Sequence, residues 1–115
     1  MTQLLNQALP PKIIKDPGNA KAIPVQVSGI VNLVTAGAET RTLASPKREG
    51  QTLQLNMKTD GGDCVITCAT CVNQTGNNTL TFADAGDHLL LQAGRSGANL
   101  RWRVVANDGV ALATV

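Results

Sequence analysis

The sequence is nearly free of aromatic side chains: one Trp (Trp102), one Phe (Phe82) and no Tyr among 115 residues. Surfaces that bind single-stranded nucleic acid stack successive bases on several rings, so no nucleic-acid partner is expected. No apolar run approaches the ~20 residues of a membrane-spanning helix, and no membrane partner is expected either. The opening residues Met1-Thr2-Gln3-Leu4-Leu5-Asn6 lack the basic start and apolar stretch of a secretory signal, so synthesis in a cytoplasm is expected. Acid–base material is scarce too. His88 is the single histidine, and neither it nor Ser28, Ser45 or Ser96 sits in a nucleophile elbow or a recognisable triad spacing. The sequence reads as that of a protein without catalytic residues or cofactors.

What is present is aliphatic. Apolar types make up 43% of the chain and charged types 16%, with 11 glycines. A single domain of this size buries roughly two thirds of its unfolded surface and folds without disulfides or metal. Its core must come from Val, Leu, Ile and Ala. The formal net charge is +2, and its placement is informative. Lys12, Lys15 and Lys21 face only Asp16 in residues 1–24, whereas the rest of the chain balances its positive and negative side chains. A DNA-binding domain would carry the basic excess on its folded part.

Residues 1–24 read as an extended N-terminal arm, and residues 25–115 as the β-domain. Pro10, Pro11, Pro17 and Pro24 forbid a helix through the arm. Its apolar groups, Leu4-Leu5, Ala8-Leu9, Ile13-Ile14 and Ala22-Ile23, are richer than a disordered tail requires. They suggest anchors that lie on a surface the domain itself does not supply. A frayed terminus and a strand swapped into a neighbouring subunit are the alternatives. The candidate anchoring residues are Leu9, Lys12, Ile13, Ile14, Lys15, Lys21 and Ile23.

From Val25 onward, short alternating runs are separated by turn residues. Thr52-Leu53-Gln54-Leu55-Asn56-Met57 puts Leu53, Leu55 and Met57 on one face. Thr79-Leu80-Thr81-Phe82 repeats the pattern. Asn107-Asp108-Gly109 is expected to turn a last hairpin. The expected fold is all-β, a compact antiparallel sandwich or small barrel. Leu53, Leu55, Ile66, Phe82, Leu90, Trp102 and Val104 are its expected core. The runs His88-Leu89-Leu90-Leu91 and Cys64-Val65-Ile66 put apolar groups on both strand faces, which predicts a second face covered by another subunit.

Cys64, Cys68 and Cys71 form C-x3-C-x2-C, the spacing with which radical-SAM enzymes hold an iron–sulfur cluster. Such enzymes need a large α/β barrel, and a zinc site needs a fourth ligand that only His88 could supply. Alternation places Cys64 and Cys68 on one strand face, so buried free thiols are the expectation. Asp60-Gly61-Gly62-Asp63 lacks the ligand run of a calcium loop and reads as a hairpin turn. Asn73-Gln74-Thr75 and Asn77-Asn78-Thr79 match the glycosylation pattern but read as turn residues. Arg101 and Arg103 alternate with Trp102, which is the expected core anchor.

From Glu39 to Val115 the chain resembles small β-structured virion proteins of tailed phages, chiefly head decoration (capsid cement) proteins. The resembling segments are Thr40-Arg41-Thr42-Leu43 with Gly50-Gln51, Thr59-Asp60-Gly61-Gly62-Asp63, Asn73 to Asn77 with Ala85-Gly86-Asp87, and Trp102-Arg103-Val104-Val105 with Asn107-Asp108-Gly109-Val110. The resemblance implies a homotrimer on the outer surface of a phage head, with the major capsid protein as partner and an N-terminal extension in the contact. A fibre or spike tip that binds a host surface receptor is the alternative.

Overall fold

The computed structural model describes residues 12–73 and 77–114, without the side chains of residues 70 and 71. Among the described residues the chain forms ten strands and no helix. They are β1 (Lys12–Ile14), β2 (Lys21–Ala22), β3 (Gly29–Val34), β4 (Glu39–Thr42), β5 (Thr52–Thr59), β6 (Cys64–Val72), β7 (Asn77–Phe82), β8 (His88–Ser96), β9 (Asn99–Asp108) and β10 (Ala111–Ala113). The all-β expectation holds.

Two five-stranded layers face each other. The first runs β1-β3-β5-β8-β9 and the second β2-β4-β6-β7-β10. Their one described ladder contact is a single parallel pair, Val72 with Trp102. The layers are mixed rather than purely antiparallel. β1, β3 and β5 run parallel, and so do β2, β4 and β6. The cause is the winding: from β1 to β6 the chain changes layer at every turn, so each strand meets a neighbour two elements away. Strands joined through a crossover run parallel. Among the described residues, β6–β7 and β8–β9 are the hairpins between consecutive strands.

Two expected hairpins are therefore corners between layers. Asp60–Asp63 carries the chain from β5 to β6. It fits because Gly61 and Gly62 lie against the backbone of Thr35 and Gly37, with no room for a Cβ. Beyond β9, Gly109 has φ +89° and Asn107 brackets Val110 with two hydrogen bonds of 2.9 Å. That geometry sends the chain across to pair β10 with β7 rather than back along β9.

Alternation dictates what is buried. Val31 and Leu33, Leu53, Leu55 and Met57, and Leu89 and Leu91 point inward from the first layer. Cys64, Ile66, Cys68, Leu80 and Phe82 meet them from the second. Trp102 is fully buried, and its Nε1 donates to the Ala44 carbonyl at 2.9 Å. Two expected core residues are only half-buried. Leu90 lies between two inward leucines and so points out, and Val104 packs against the core margin after a bulge between Leu90 and Leu91.

Candidate assembly edge

The edge strand of each layer on one side of the sandwich comes from the N-terminal segment. β1 pairs with β3 alone and β2 with β4 alone among the described residues. Ile14 is 6% exposed and Ile23 2%, both within the chain's own core. Two of the apolar residues expected to seek a foreign surface thus find a place at home. The signal was non-local: the edges they complete lie far along the chain at β3 and β4. Gly29 makes the docking possible, since a Cβ there would stand 2.5 Å from the Lys12 carbonyl oxygen and 2.7 Å from Ile14 Cδ1.

Between β1 and β2, Asp16 locks the segment down. Its Oδ1 accepts from Arg41 Nε at 2.8 Å and its Oδ2 from Arg41 Nη2 at 2.9 Å. Oδ2 also accepts from the Val34 amide at 2.9 Å. Arg41 has no exposed side-chain surface, and its remaining donors go to Glu39 Oε1 at 3.0 Å, the Thr40 carbonyl and the Val34 carbonyl. A buried guanidinium is tolerated only when its charge and donors are met in this way. Burial pushes the Asp16 carboxyl upward, but the Arg41 fork and the Val34 and Gly18 amides outweigh it and hold it below its ordinary value. The Ala36 amide, against slight desolvation and aided by Arg41, lowers Glu39 in the same way. The Asp16 hydrogen bond holds Arg41 firmly charged despite burial.

The clamp fixes which arm side chains face out. Ile13 is 63% exposed, and Lys12, Lys15 and Lys21 are exposed as well. Four of the seven candidate anchoring residues are thus exposed along the segment that supplies the two edge strands. Ile14 and Ile23 are turned inward, and Leu9 lies outside the described residues. Among the described residues the outer edges of β1 and β2 have no strand alongside, and such edges are of the kind that recruit another chain. Sequence reasoning missed Asp16 and Arg41, because nothing local marks two residues that meet only across the fold.

The cysteines and His88 serve other ends. Cys64 and Cys68 are buried, and Cys64 is a free thiol. Desolvation, only partly offset by Arg41, pushes the Cys64 thiol up to about 11, so it is protonated and unreactive at neutral pH. Cys68 Sγ contacts the Asn77 carbonyl at 3.6 Å, and the side chain of Cys71 is outside the described set. Among the described residues no three His, Cys, Asp or Glu side chains are grouped to hold a metal ion. His88 Nδ1 bonds Asn56 Oδ1 at 2.7 Å.

No protein-family model matches the chain, and no curated protein matches it.

Proposed function

We propose that the protein is a structural virion component, a trimeric decoration protein that attaches to the outer surface of a phage head and stabilises it. The observation that supports this reading is the clamped edge. Lys12, Ile13 and Lys21, in the two edge strands, and Lys15 between them are exposed, on a segment held by the Asp16–Arg41 pair, and among the described residues each edge strand has one strand neighbour. An exposed isoleucine on a segment carrying three exposed lysines suits a capsid surface with an apolar groove and acidic rim, the major capsid protein being the partner. Preformed edge strands lose less entropy on docking than a free tail. Three edges per trimer bind multivalently, so modest contacts become strong together.

The balanced charge of the rest of the chain lets many copies sit side by side without mutual repulsion. The thiols are packing residues in this reading, and no cofactor takes part. The test is to mix the purified protein with heads that lack it and image them. Ordered density at a repeated site on the shell, in hundreds of copies, is the expected result. Bare heads, with binding instead to host cells or glycans, would replace the proposal by a receptor-binding fibre tip.

A further inference from the structure

Consecutive strands run in opposite senses, so the connections between them alternate between two ends of the sandwich. Five connections meet at the first end. Asp16, between β1 and β2, accepts from the Val34 amide at the close of β3. Gly61, between β5 and β6, donates to Thr35 Oγ1, between β3 and β4, at 3.0 Å. The Asp87 carbonyl, between β7 and β8, accepts from the Met57 amide at 2.8 Å, and Gly109, between β9 and β10, bridges to His88. At the second end the β4–β5 connection meets its neighbours on both sides. Gly50 donates to the Ala93 carbonyl at 3.0 Å, Arg48 Nη2 to the Gln26 carbonyl at 2.8 Å, and Arg95 Nε, near the β8–β9 turn, to Glu49 Oε1 at 2.6 Å.

The charges divide between these ends. Of the chain's eight acidic residues only Glu49 lies at the second end, and the other seven sit at or beside the first. Three cations, Lys15, Arg41 and Lys58, stand with those seven. The second end carries Lys47, Arg48, Arg95 and Arg101 against its single carboxylate. The near-zero sum of the chain therefore hides a polarity along the strands. Some of the acids are committed inside the fold: Asp16 and Glu39 to Arg41, and buried Asp87 to the Ala83 and Asp84 amides at 2.9 and 3.1 Å. Asp60, Asp63, Asp84 and Asp108 remain exposed, as do Lys47, Arg48 and Arg95 opposite. Turn chemistry favours aspartate at corners. It does not account for a second set of corners, rich in Ser, Asn and Gly, from which aspartate is missing.

We infer that the two ends are complementary halves of one contact, in which the acidic end of one copy docks on the basic end of the next. The inference rests on the oligomeric part of the proposed function and names its contact. Both halves of the charge match belong to this chain, which commits the occupant to a second copy. Two acidic ends repel, as do two basic ends, so the polarity disfavours a two-fold pair through either end and leaves the head-to-tail arrangement. Head-to-tail contacts close into a ring when the rotation between copies allows, and a ring of three is the proposed trimer. A single exposed ion pair contributes little, so the contact draws on several at once and weakens as salt screens them. Two layers ~10 Å apart, each of five strands at ~4.8 Å spacing, present an end of roughly 30 × 20 Å with side chains. A pair of ends then buries on the order of 1,000 Å², in the class of weak, reversible interfaces. Strands β1 and β2 run along the side of the sandwich, so end-to-end assembly leaves the anchoring edge open.

Light scattering on the purified full-length chain tests this at about 10 mM and about 1 M salt, where charges are screened beyond ~30 Å and ~3 Å. The wild type is expected to show a multiple of its 12.0 kDa mass at low salt and the monomer's mass at high salt. Lys47→Glu with Arg48→Glu, and separately Asp63→Lys with Asp84→Lys, are expected to be monomeric at low salt with unchanged β-type circular dichroism. An equimolar mixture of the two variants is expected to regain mass, since each retains the end that the other has lost. A wild type that is monomeric at low salt and high concentration would overturn the inference. So would a mass that neither salt nor either variant changes, or a mixture that stays monomeric. Head attachment is read separately. A basic-end variant that keeps its mass but no longer binds heads would assign that end to the capsid and overturn the contact between copies. A wild type that assembles as expected yet leaves heads bare would refute the attachment proposal alone.

Discussion

Asp16 and Arg41, 25 residues apart, form a two-point fork with N···O distances of 2.8 and 2.9 Å. One partner comes from the N-terminal segment and the other from the core side of β4. The pair therefore does more than neutralise a buried charge: it makes the placement of β1 and β2 depend on one carboxylate. Asp16→Asn leaves Arg41 buried with Glu39 as its remaining anion. It should lower stability by about 3 kcal/mol, the low end for breaking a buried ion pair, because Asp16 is partly exposed. Chemical denaturation at pH 7 measures this, and an unchanged midpoint would deny the clamp its role.

The same pair sets an acid limit. Asp16 and Glu39 both titrate below their ordinary carboxylate values in the folded protein. Protons thus bind the unfolded chain more readily, so the stability these groups contribute is complete above about pH 5 and is lost as pH falls through their folded values. Melting temperature should be flat between pH 5 and 7 and fall below pH 4, with a smaller fall in Asp16→Asn. Cys64 acts at the other end. Its folded value of about 11 lies above the ordinary 9.0, so stability should decline as pH rises from 9 towards 11, and Cys64→Ala should remove that decline.

Gly29→Ala probes the docking of β1 without touching any charge. A Cβ there meets the Lys12 carbonyl and the Ile14 side chain, and overpacking of this kind costs about 1–3 kcal/mol. β1 can relieve the clash by detaching. Limited trypsin digestion should therefore cut after Lys12, Lys15 and Lys21 faster in the variant, while the rest of the chain resists. Equal cleavage rates would mean that β1 is not held by β3.

Trp102 is the sole tryptophan, which makes the core directly observable. Its emission should be blue-shifted in the native protein and move red on unfolding. Trp102→Ala should cost about 3–5 kcal/mol, and Trp102→Phe less, because it keeps an aromatic ring in the site while losing part of the volume and the bond to the Ala44 carbonyl. Red-shifted native emission would contradict the buried position.

The sequence disclosed faces better than neighbours. Leu53, Leu55 and Met57 announced an inward side through strict alternation, and that side is buried. Alternation does not say which strand lies alongside, so the parallel pairing of β3 with β5 and of β4 with β6 was invisible. Local turn chemistry misled for the same reason. Asn107-Asp108-Gly109 supplies the backbone freedom a hairpin needs, and the chain uses it to change layer. Leu90 sits in an apolar run where parity alone decides direction, and the inward pair Leu89 and Leu91 turns it out. The lysines and Ile13 of the candidate edge were legible as a local excess of charge and apolar groups. Their inward companions Ile14 and Ile23, and the Asp16–Arg41 fork, depend on contacts with distant strands that no local pattern records.

Removing the whole arm would strip the core of Ile14 and Ile23, so the decisive comparison uses the outward residues alone. Undecorated heads should be incubated with the wild type and with an Ile13→Asp variant also carrying Gln at Lys12, Lys15 and Lys21, and the bound protein measured by co-sedimentation. The account predicts a folded variant of unchanged mass whose attachment is weakened about a hundredfold, since a loss of about 1 kcal/mol per edge compounds over three edges. A variant that saturates the heads at the same concentration as the wild type would contradict it.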